Sequence, residues 1–324
     1  NWFSLSIISL SPIVMGCYRD GFASLFPFIQ QDFNLTRAQI GLHSTFFFLT
    51  SALLALFTGR LADIKGTKWA LSSGTLFIGF IFILHSLVPN YYMLLLVAAI
   101  TGCGLSIITP AANKAVVEWF PHRWTSSALG FLSTSFPVGG LIAASLLPSL
   151  SIVFGWRKVL AFFGLLSLFC VIIILIFYQN KGIQTKSIKQ KNKDNISMLK
   201  GLSQLVHNTE LLATSVYGFF LGVVNGSIAT HFTLFLYLDF GLNKSLAGLF
   251  FAVVQLGSIL GRPGWGLICD KLLWSDKRKT FLCIGFLFTI VSSILGFFAM
   301  NSTVPSIFLI IVLAFLTGFN GRGW

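Results

Sequence analysis

One arginine stands in the middle of a long apolar stretch near the start of the chain. Arg19 lies 11 residues before Gln30, within an apolar segment that we place at Trp2–Ile29. At about 1.5 Å per helical residue, its guanidinium lies about 16 Å deep in a bilayer core of about 30 Å. A charge at that depth is costly unless it faces water, an acid or a ligand. Arg19 is therefore the leading candidate for binding an anion, and the alternative is a structural ion pair with Asp20 or with another helix.

Other polar side chains inside apolar segments are candidates for the same site. Asn225 offers a donor and an acceptor near the middle of its segment, or it makes an interhelical hydrogen bond instead. Arg322 together with Arg19 would clamp a dianion, because guanidinium groups match the geometry of carboxylates and phosphates. The residues that we predict to contact a substrate are Arg19, Asn225, Tyr18, Tyr217, Gln255 and Arg322.

Ionisable residues in the segments suggest how a proton could be carried or a cavity gated. Among the histidines, His231 is the strongest candidate for a proton relay, whereas His85 falls near the outer surface and His43 remains a weaker choice. Lys114 lies four residues before Glu118, and we favour an interfacial ion pair there over a ligand site. The residues that these arguments assign to coupling or gating are Asp20, His231 and Lys114.

Composition identifies the class of protein that must position these residues. Hydrophobic residues make up 55% of the 324-residue chain, 35 residues are Phe, and only 10% are charged. Such a surface could not remain soluble, and apolar runs of about 20 residues are long enough to cross a bilayer as helices. The net charge of +13 fits basic cytoplasmic loops better than nucleic-acid binding. We therefore expect an all-α polytopic membrane protein that contacts lipid and no nucleic acid.

Ten apolar segments can be placed along the chain. They are about Trp2–Ile29, Arg37–Leu61, Trp69–Val88, Tyr91–Val117, Thr125–Leu150, Trp156–Tyr178, Glu210–Leu238, Ser245–Ile268, Thr280–Met300 and Val304–Trp324. A polar, lysine-rich linker at 179–208 separates a six-helix half at 1–178 from four helices at 209–324. Within the fifth segment, Pro137-Val-Gly-Gly140 predicts close helix packing and a bend.

The distribution of basic residues predicts the orientation. With the N-terminus in the cytoplasm, 14 of the 22 Lys and Arg residues fall in cytoplasmic loops and four in outer loops. This asymmetry places the N-terminus and the linker inside a cell membrane, which we take to be a bacterial inner membrane.

The chain also repeats itself. The pattern Asp-Phe-x-Leu-x-basic-x3-Gly at 32–41 recurs at 239–248, and Gly-x3-Asp at 59–63 recurs at 266–270, both at an offset of 207 residues. Thr101-Gly102 recurs as Thr317-Gly318 at an offset of 216. Two homologous halves follow from this repeat. The same alignment predicts that the tenth helix is cut short and that two further helices are missing.

Residues 59–68 read Gly-Arg-Leu-Ala-Asp-Ile-Lys-Gly-Thr-Lys. This loop resembles the signature of the major facilitator superfamily of secondary transporters, with Ile64 and Thr67 at two positions that are usually basic. The resemblance implies a bundle of two six-helix halves, the second incomplete here, with a substrate site between the halves and alternating access. It also implies gating roles for Asp63, whose counterpart braces against the eleventh helix, and for Asp270, which would face the start of the fifth.

Two local patterns resemble particular branches of this superfamily. Arg19 precedes Pro27 by eight residues, as in organic-anion and sugar-phosphate permeases, although Tyr18 stands where those proteins have an acid. Residues 110–121 resemble the fourth-helix exit of cyanate-permease-like members. The resemblance thus implies a monomeric transporter of a small organic anion, coupled to protons or another ion.

Two other functions stay open at this stage. One is export of hydrophobic or cationic compounds, and the other is a non-transporting truncated remnant or a regulatory membrane protein. The sequence contains no Gly-x4-Gly-Lys-Ser/Thr loop, metal-ligand spacing or catalytic triad, so we expect no ATP use, no cofactor, no metal and no enzymatic activity. We expect the five cysteines to be reduced.

Overall fold

The computed structural model describes residues 2–180, 209–271, 277–301 and 306–321. Within these ranges the chain forms helices, turns and short connections, with no β-strand. The helices are α1 (Trp2–Arg19), α2 (Phe26–Phe33), α3 (Arg37–Lys65), α4 (Thr67–Ser86), α5 (Tyr91–Trp119), α6 (His122–Phe154), α7 (Trp156–Phe177), α8 (Thr209–Leu238), α9 (Lys244–Lys271), α10 (Lys277–Asn301) and α11 (Ile307–Gly321).

Seven of the described helices, α3 to α9, contain stretches that are long and apolar enough to cross a membrane. Shorter apolar stretches occur in α10 and α11, at Leu282–Phe298 and Ile307–Asn320. Many large apolar side chains point outward, as Phe80 and Phe308 do, which suits helices that face lipid rather than water. The predicted all-α polytopic membrane fold is confirmed.

The first predicted segment is not one helix. Residues 22–25 form a 3₁₀ turn between α1 and α2. A Cβ at Gly21 would lie 2.1 Å from the Cβ of Ala143 on α6, so only glycine allows the chain to approach α6 this closely. Pro27 occupies the first turn of α2, where its missing N–H has no cost. The break leaves Tyr18, Arg19 and Asp20 around the end of α1, in the interior of the bundle.

Helices α1 and α6 cross in direct backbone contact. A Cβ at Gly16 would lie 2.1 Å from the carbonyl oxygen of Phe136, and a Cβ at Gly139 would lie 2.0 Å from that of Ile13. The close packing predicted from residues 137–140 is therefore present, and it fixes the position of α1.

The two halves repeat one helix contact at the offsets found in the sequence. Gly102 on α5 packs against the carbonyl of Phe47 on α3, and Gly318 on α11 packs against the carbonyl of Val254 on α9. Phe47 and Val254 are 207 residues apart, and the glycines are 216 apart. The repeat thus corresponds to a recurring packing unit.

The halves meet at one end of the bundle, which we call the far end because it lies opposite the end where α7 stops and α8 starts. Here Arg37 pairs with Asp239 at 2.7 Å, and the hydroxyls of Ser149 and Ser245 are 3.0 Å apart. Gly248 on α9 also lies against Pro148 and Ala144 of α6. These contacts close the far end.

Candidate functional site

A small cavity lies where the α1–α2 break faces α3 and α8. It offers about 20 Å³ to the centre of a water molecule, which is room for at least one water. Its lining residues are Tyr18, Arg19, Phe22, Ala23, Phe26, His43, Ser44, Phe47, Phe48, Ala229 and Thr230. The cavity therefore brings together a cation, hydroxyls and aromatic rings from both halves of the chain.

Arg19 is the cation of this cavity, as the sequence predicted. Its side chain is 29% exposed, and its Nε lies 3.4 Å from Oδ1 of Asp20. The guanidinium carbon lies 5.2 Å from the centre of the Phe136 ring, a cation–π contact. The buried Nε makes no hydrogen bond within the described part of the chain. Arg19 is thus held beside one carboxylate while part of its guanidinium remains reachable.

Asp20 and Gln255 come together across the boundary between the halves. A Cβ at Gly140 would lie 2.7 Å from the Cβ of Asp20 and 2.9 Å from Cδ of Gln255. Both side chains are buried. Gly140 therefore leaves the space in which Asp20, just after α1, meets a side chain of α9, so two of the predicted site residues lie at the junction of the halves.

Tyr18 belongs to a buried polar cluster that the sequence did not reveal. Its hydroxyl lies 3.2 Å from Nε2 of His85 and 3.5 Å from Nε2 of His43. His85 lies in the last turn of α4, and its side chain is fully buried there. Counting residues along α4 gives the depth of His85 but not the neighbours that cover it.

The remaining predicted residues are more dispersed. Asn225 donates to the carbonyl of Leu221 in its own helix at 3.1 Å, and Tyr217 lies beside Gly285 of α10. His231 packs over Gly41 of α3, where the two halves touch. Their proposed roles in binding or coupling stay predictions.

Four other predicted positions add little to this cavity. Arg322 lies outside the described residues, and so do the side chains of Asp63 and Asp270. Lys114 lies on α5, two turns beyond Ser106, and its predicted role stays untested. These positions therefore neither support nor weaken the cavity as the site.

A second polar cluster joins three parts of the first half where α7 ends. Thr67 donates to Glu118 at 3.1 Å and lies 2.9 Å from the hydroxyl of Tyr178. Burial raises the pKa of Tyr178 above its usual value. Asn180 accepts a hydrogen bond from the backbone N–H of Lys68 and so caps the start of α4. This cluster fixes the α3–α4 turn to the end of α7.

Comparison with known proteins identifies the family. The Major Facilitator Superfamily model matches residues 8–324. The chain belongs to this superfamily. Together with the described helices, this makes it a multi-pass membrane protein with the superfamily's fold.

Several relatives within the superfamily are transporters or resistance proteins. The chain is 27% identical over 270 residues to the sialic acid transporter NanX of Escherichia coli, covering 80% of this chain and 64% of that protein. It is 28% identical over 284 residues to the fosmidomycin resistance protein of E. coli, covering 84% and 67%. It is 22% identical over 266 residues to the hexuronate transporter of Bacillus subtilis, covering 78% and 60%. The chain thus spans less than two thirds of the length of two of these three relatives.

A solved structure has the same superfamily fold. It is that of a bacterial homologue of the human lysosomal transporter Spinster, in an inward-facing and occupied conformation. The TM-score is 0.74 at 19% identity, over 99% of this chain and 72% of the other. This similarity supports the helix arrangement described above.

Proposed function

We propose that this chain is part of a secondary transporter that moves a small organic anion across the membrane, with Arg19 binding the negative charge. The observation that carries this proposal is the place of Arg19 in the cavity wall. Its guanidinium is partly exposed, and its Nε lacks a hydrogen-bond acceptor in the described residues. Because Nε itself is buried, a carboxylate in the cavity would bind the exposed part of the Arg19 side chain and balance a costly buried charge.

Asp20 affects how strongly an anion can bind to Arg19. Its carboxylate already lies 3.4 Å from Arg19, so it competes with the substrate for the guanidinium. Asp20 also stabilises the cation while the cavity is empty. Gln255 of the second half lies beside Asp20. A movement of Asp20 when an anion binds to Arg19 would therefore act directly on the contact between the halves.

The relatives support an anionic substrate. One relative is named for sialic acid and another for hexuronates, and both kinds of compound carry a carboxylate. The aromatic rings of Phe22, Phe26 and Phe47 around Arg19 provide apolar faces against which a carbon skeleton can pack. The cavity therefore combines charge and apolar surface. Because it has room for little more than one water, a small organic acid would bind there only after the halves move apart.

The contacts at the far end suggest which part of the protein would open during alternating access. With the N-terminus and linker in the cytoplasm, as the basic residues predict, the Arg37–Asp239 pair and the Ser149–Ser245 contact close the outer side. Transport would require these contacts to break while the opposite ends of the halves approach each other.

Thermal stability of the purified chain in detergent tests the proposal. The ligands are glucuronate, sialic acid, succinate, phosphate and choline, each added to the wild type, Arg19→Gln and Lys158→Gln. Lys158→Gln removes the same charge from an exposed position on α7. A ligand at 100 times its Kd stabilises the folded state by about 2.7 kcal/mol. We expect one class of anion to stabilise the wild type and Lys158→Gln but not Arg19→Gln. Equal stabilisation of all three would contradict the role of Arg19.

A second candidate function is export of hydrophobic or cationic compounds. It is favoured by the phenylalanines that line the cavity and by relatives named multidrug resistance protein MdtG. This function predicts that hydrophobic cations stabilise the chain and that Arg19→Gln leaves the effect unchanged. The same panel, extended with tetraphenylphosphonium, separates the two functions.

A further inference from the structure

The hydrogen bonds around His85 fix which of its ring nitrogens carries a proton. Nδ1 lies 3.1 Å from the carbonyl oxygen of Ile81, and a carbonyl only accepts. Nδ1 must therefore be the N–H, which leaves a lone pair on Nε2 in the neutral ring. The Tyr18 hydroxyl lies 3.2 Å from Nε2 and must donate to it.

The direction of these hydrogen bonds also fixes which ring nitrogen of His43 carries a proton. Since the Tyr18 proton points to His85, the Tyr18 oxygen is an acceptor, toward which the hydroxyl of Thr101 also lies, and Nε2 of His43 at 3.5 Å donates to it. His43 then carries its lone pair on Nδ1. That atom is buried and has no hydrogen-bond partner in the described part of the chain. The chain of bonds therefore runs from His43 through Tyr18 to Ile81 and leaves one open acceptor, Nδ1 of His43.

An open acceptor in a buried side chain is costly unless it has a use. His43 is 3% exposed and lines the same cavity as Arg19. Its ring stacks on Phe22, with centres 5.0 Å apart and an angle of 3° between planes. The face of an aromatic ring stabilises a cation above it. The face of Phe22 thus favours an imidazolium, whereas burial and the nearby His85 oppose one, so a proton on His43 needs an anion to balance its charge.

The cluster can hold one added proton, and it offers no path by which that proton could leave on the His85 side. The ring centres of His43 and His85 are 5.8 Å apart, so two imidazolium charges would repel strongly in this buried place. At the other end, the bond from His85 stops at a backbone carbonyl, which cannot pass a proton on. A proton that arrives at His43 is therefore stored in the cluster and must leave by the same route.

We propose that His43, Tyr18 and His85 form the proton-binding site of this transporter and take up one proton when an anion occupies the cavity. This inference rests on the proposed function, because the anion at Arg19 supplies the charge that a protonated His43 needs. The charged or titratable groups that contact His43 or line its cavity are Tyr18 and Arg19 on α1 and His85 on α4. Asp20 lies beside Arg19, and His231 on α8 lies over Gly41, two residues from His43. Asp20 already balances part of the Arg19 charge, and a bound anion would balance the added proton.

Histidine NMR of the chain in lipid nanodiscs tests the cluster without any substrate. The chain has five histidines, so single His→Gln variants assign the ring signals. At neutral pH we expect the Nδ1–H tautomer for His85 and the Nε2–H tautomer for His43. On acidification we expect the pair to take up one proton, and we expect Tyr18→Phe to release the tautomer of His43, while Ile81 still holds that of His85. Opposite tautomers, or two separate full protonations in the wild type, would overturn the proposal.

Calorimetry with glucuronate, in buffers of different ionisation enthalpy, then measures proton uptake on binding. We expect about one proton per bound anion, so that affinity rises up to about tenfold for each pH unit of acidification. His43→Gln keeps a donor toward Tyr18 but cannot be protonated, and it should abolish the uptake. Uptake that survives in His43→Gln, or that disappears in His231→Gln instead, would refute the assignment while leaving anion binding intact. Arg19-independent binding would refute the proposed function itself.

Discussion

The contact of Gly139 with α1 allows a prediction from distances alone. In Gly139→Ala, the new Cβ would lie 2.0 Å from the carbonyl oxygen of Ile13 and 2.8 Å from the backbone nitrogen of Cys17. Both are backbone atoms, so no side-chain rotation relieves the clash. To reach an ordinary contact of 3.4 Å, α1 would have to move away from α6 by roughly 1.4 Å.

Overpacking of this kind costs about 1–3 kcal/mol. At about 2–4 °C for each kcal/mol, we expect Gly139→Ala to lower the melting temperature by about 2–12 °C. Because α1 ends at Arg19 beside the cavity, the displacement should also weaken anion binding. Stability and binding are therefore expected to fall together.

Thermal unfolding in detergent, with and without anion, measures both effects. Gly130→Ala is the matched control, since Gly130 lies on the same helix and a Cβ there meets nothing within 4 Å. We expect Gly130→Ala to unfold at or slightly above the wild-type temperature, because alanine favours helix over glycine. If the two variants unfold at the same temperature, the reasoning about the α1–α6 crossing is wrong.

Three further predictions follow from contacts elsewhere in the chain. Asn180→Ala should lower stability by about 1 kcal/mol in chemical denaturation, because it removes the cap of α4, and an unchanged midpoint would argue against the cap. Ser149→Cys with Ser245→Cys, in a background without the native cysteines, should form a disulfide that stops transport until it is reduced, whereas continued transport would contradict closure there. Asp20→Asn should raise anion affinity in calorimetry by about two- to fivefold, because Arg19 loses a competing carboxylate, and lower affinity would contradict competition.

Periodicity and composition were sufficient to predict the helices and their class, because a bilayer imposes a length of about 20 apolar residues on each span. The repeat in the sequence likewise predicted related halves. The break after Arg19 was not predicted, since the mostly apolar run from Gly21 to Ile29 continues the same segment to the length of one span. It depends on the approach of Ala143 from a helix more than 100 residues later.

The candidate site, like the fold, could be predicted from the sequence only in part. The depth of Arg19 in its segment was enough to predict its importance, because a buried guanidinium is costly wherever it lies. The partnership of Tyr18 with His43 and His85 needed the structure, because residues on three helices meet only after packing. Likewise, the distance along α9 could not show that Gln255 lies beside Asp20.

The central claim is that Arg19 binds the anion that is transported. Its most direct test is counterflow in proteoliposomes that contain the purified chain, with labelled glucuronate or sialic acid outside and the same unlabelled anion inside. We predict transient accumulation of label for the wild type and for Lys158→Gln, and none for Arg19→Gln at the same reconstituted amount. Accumulation by Arg19→Gln equal to that of the wild type would contradict the account.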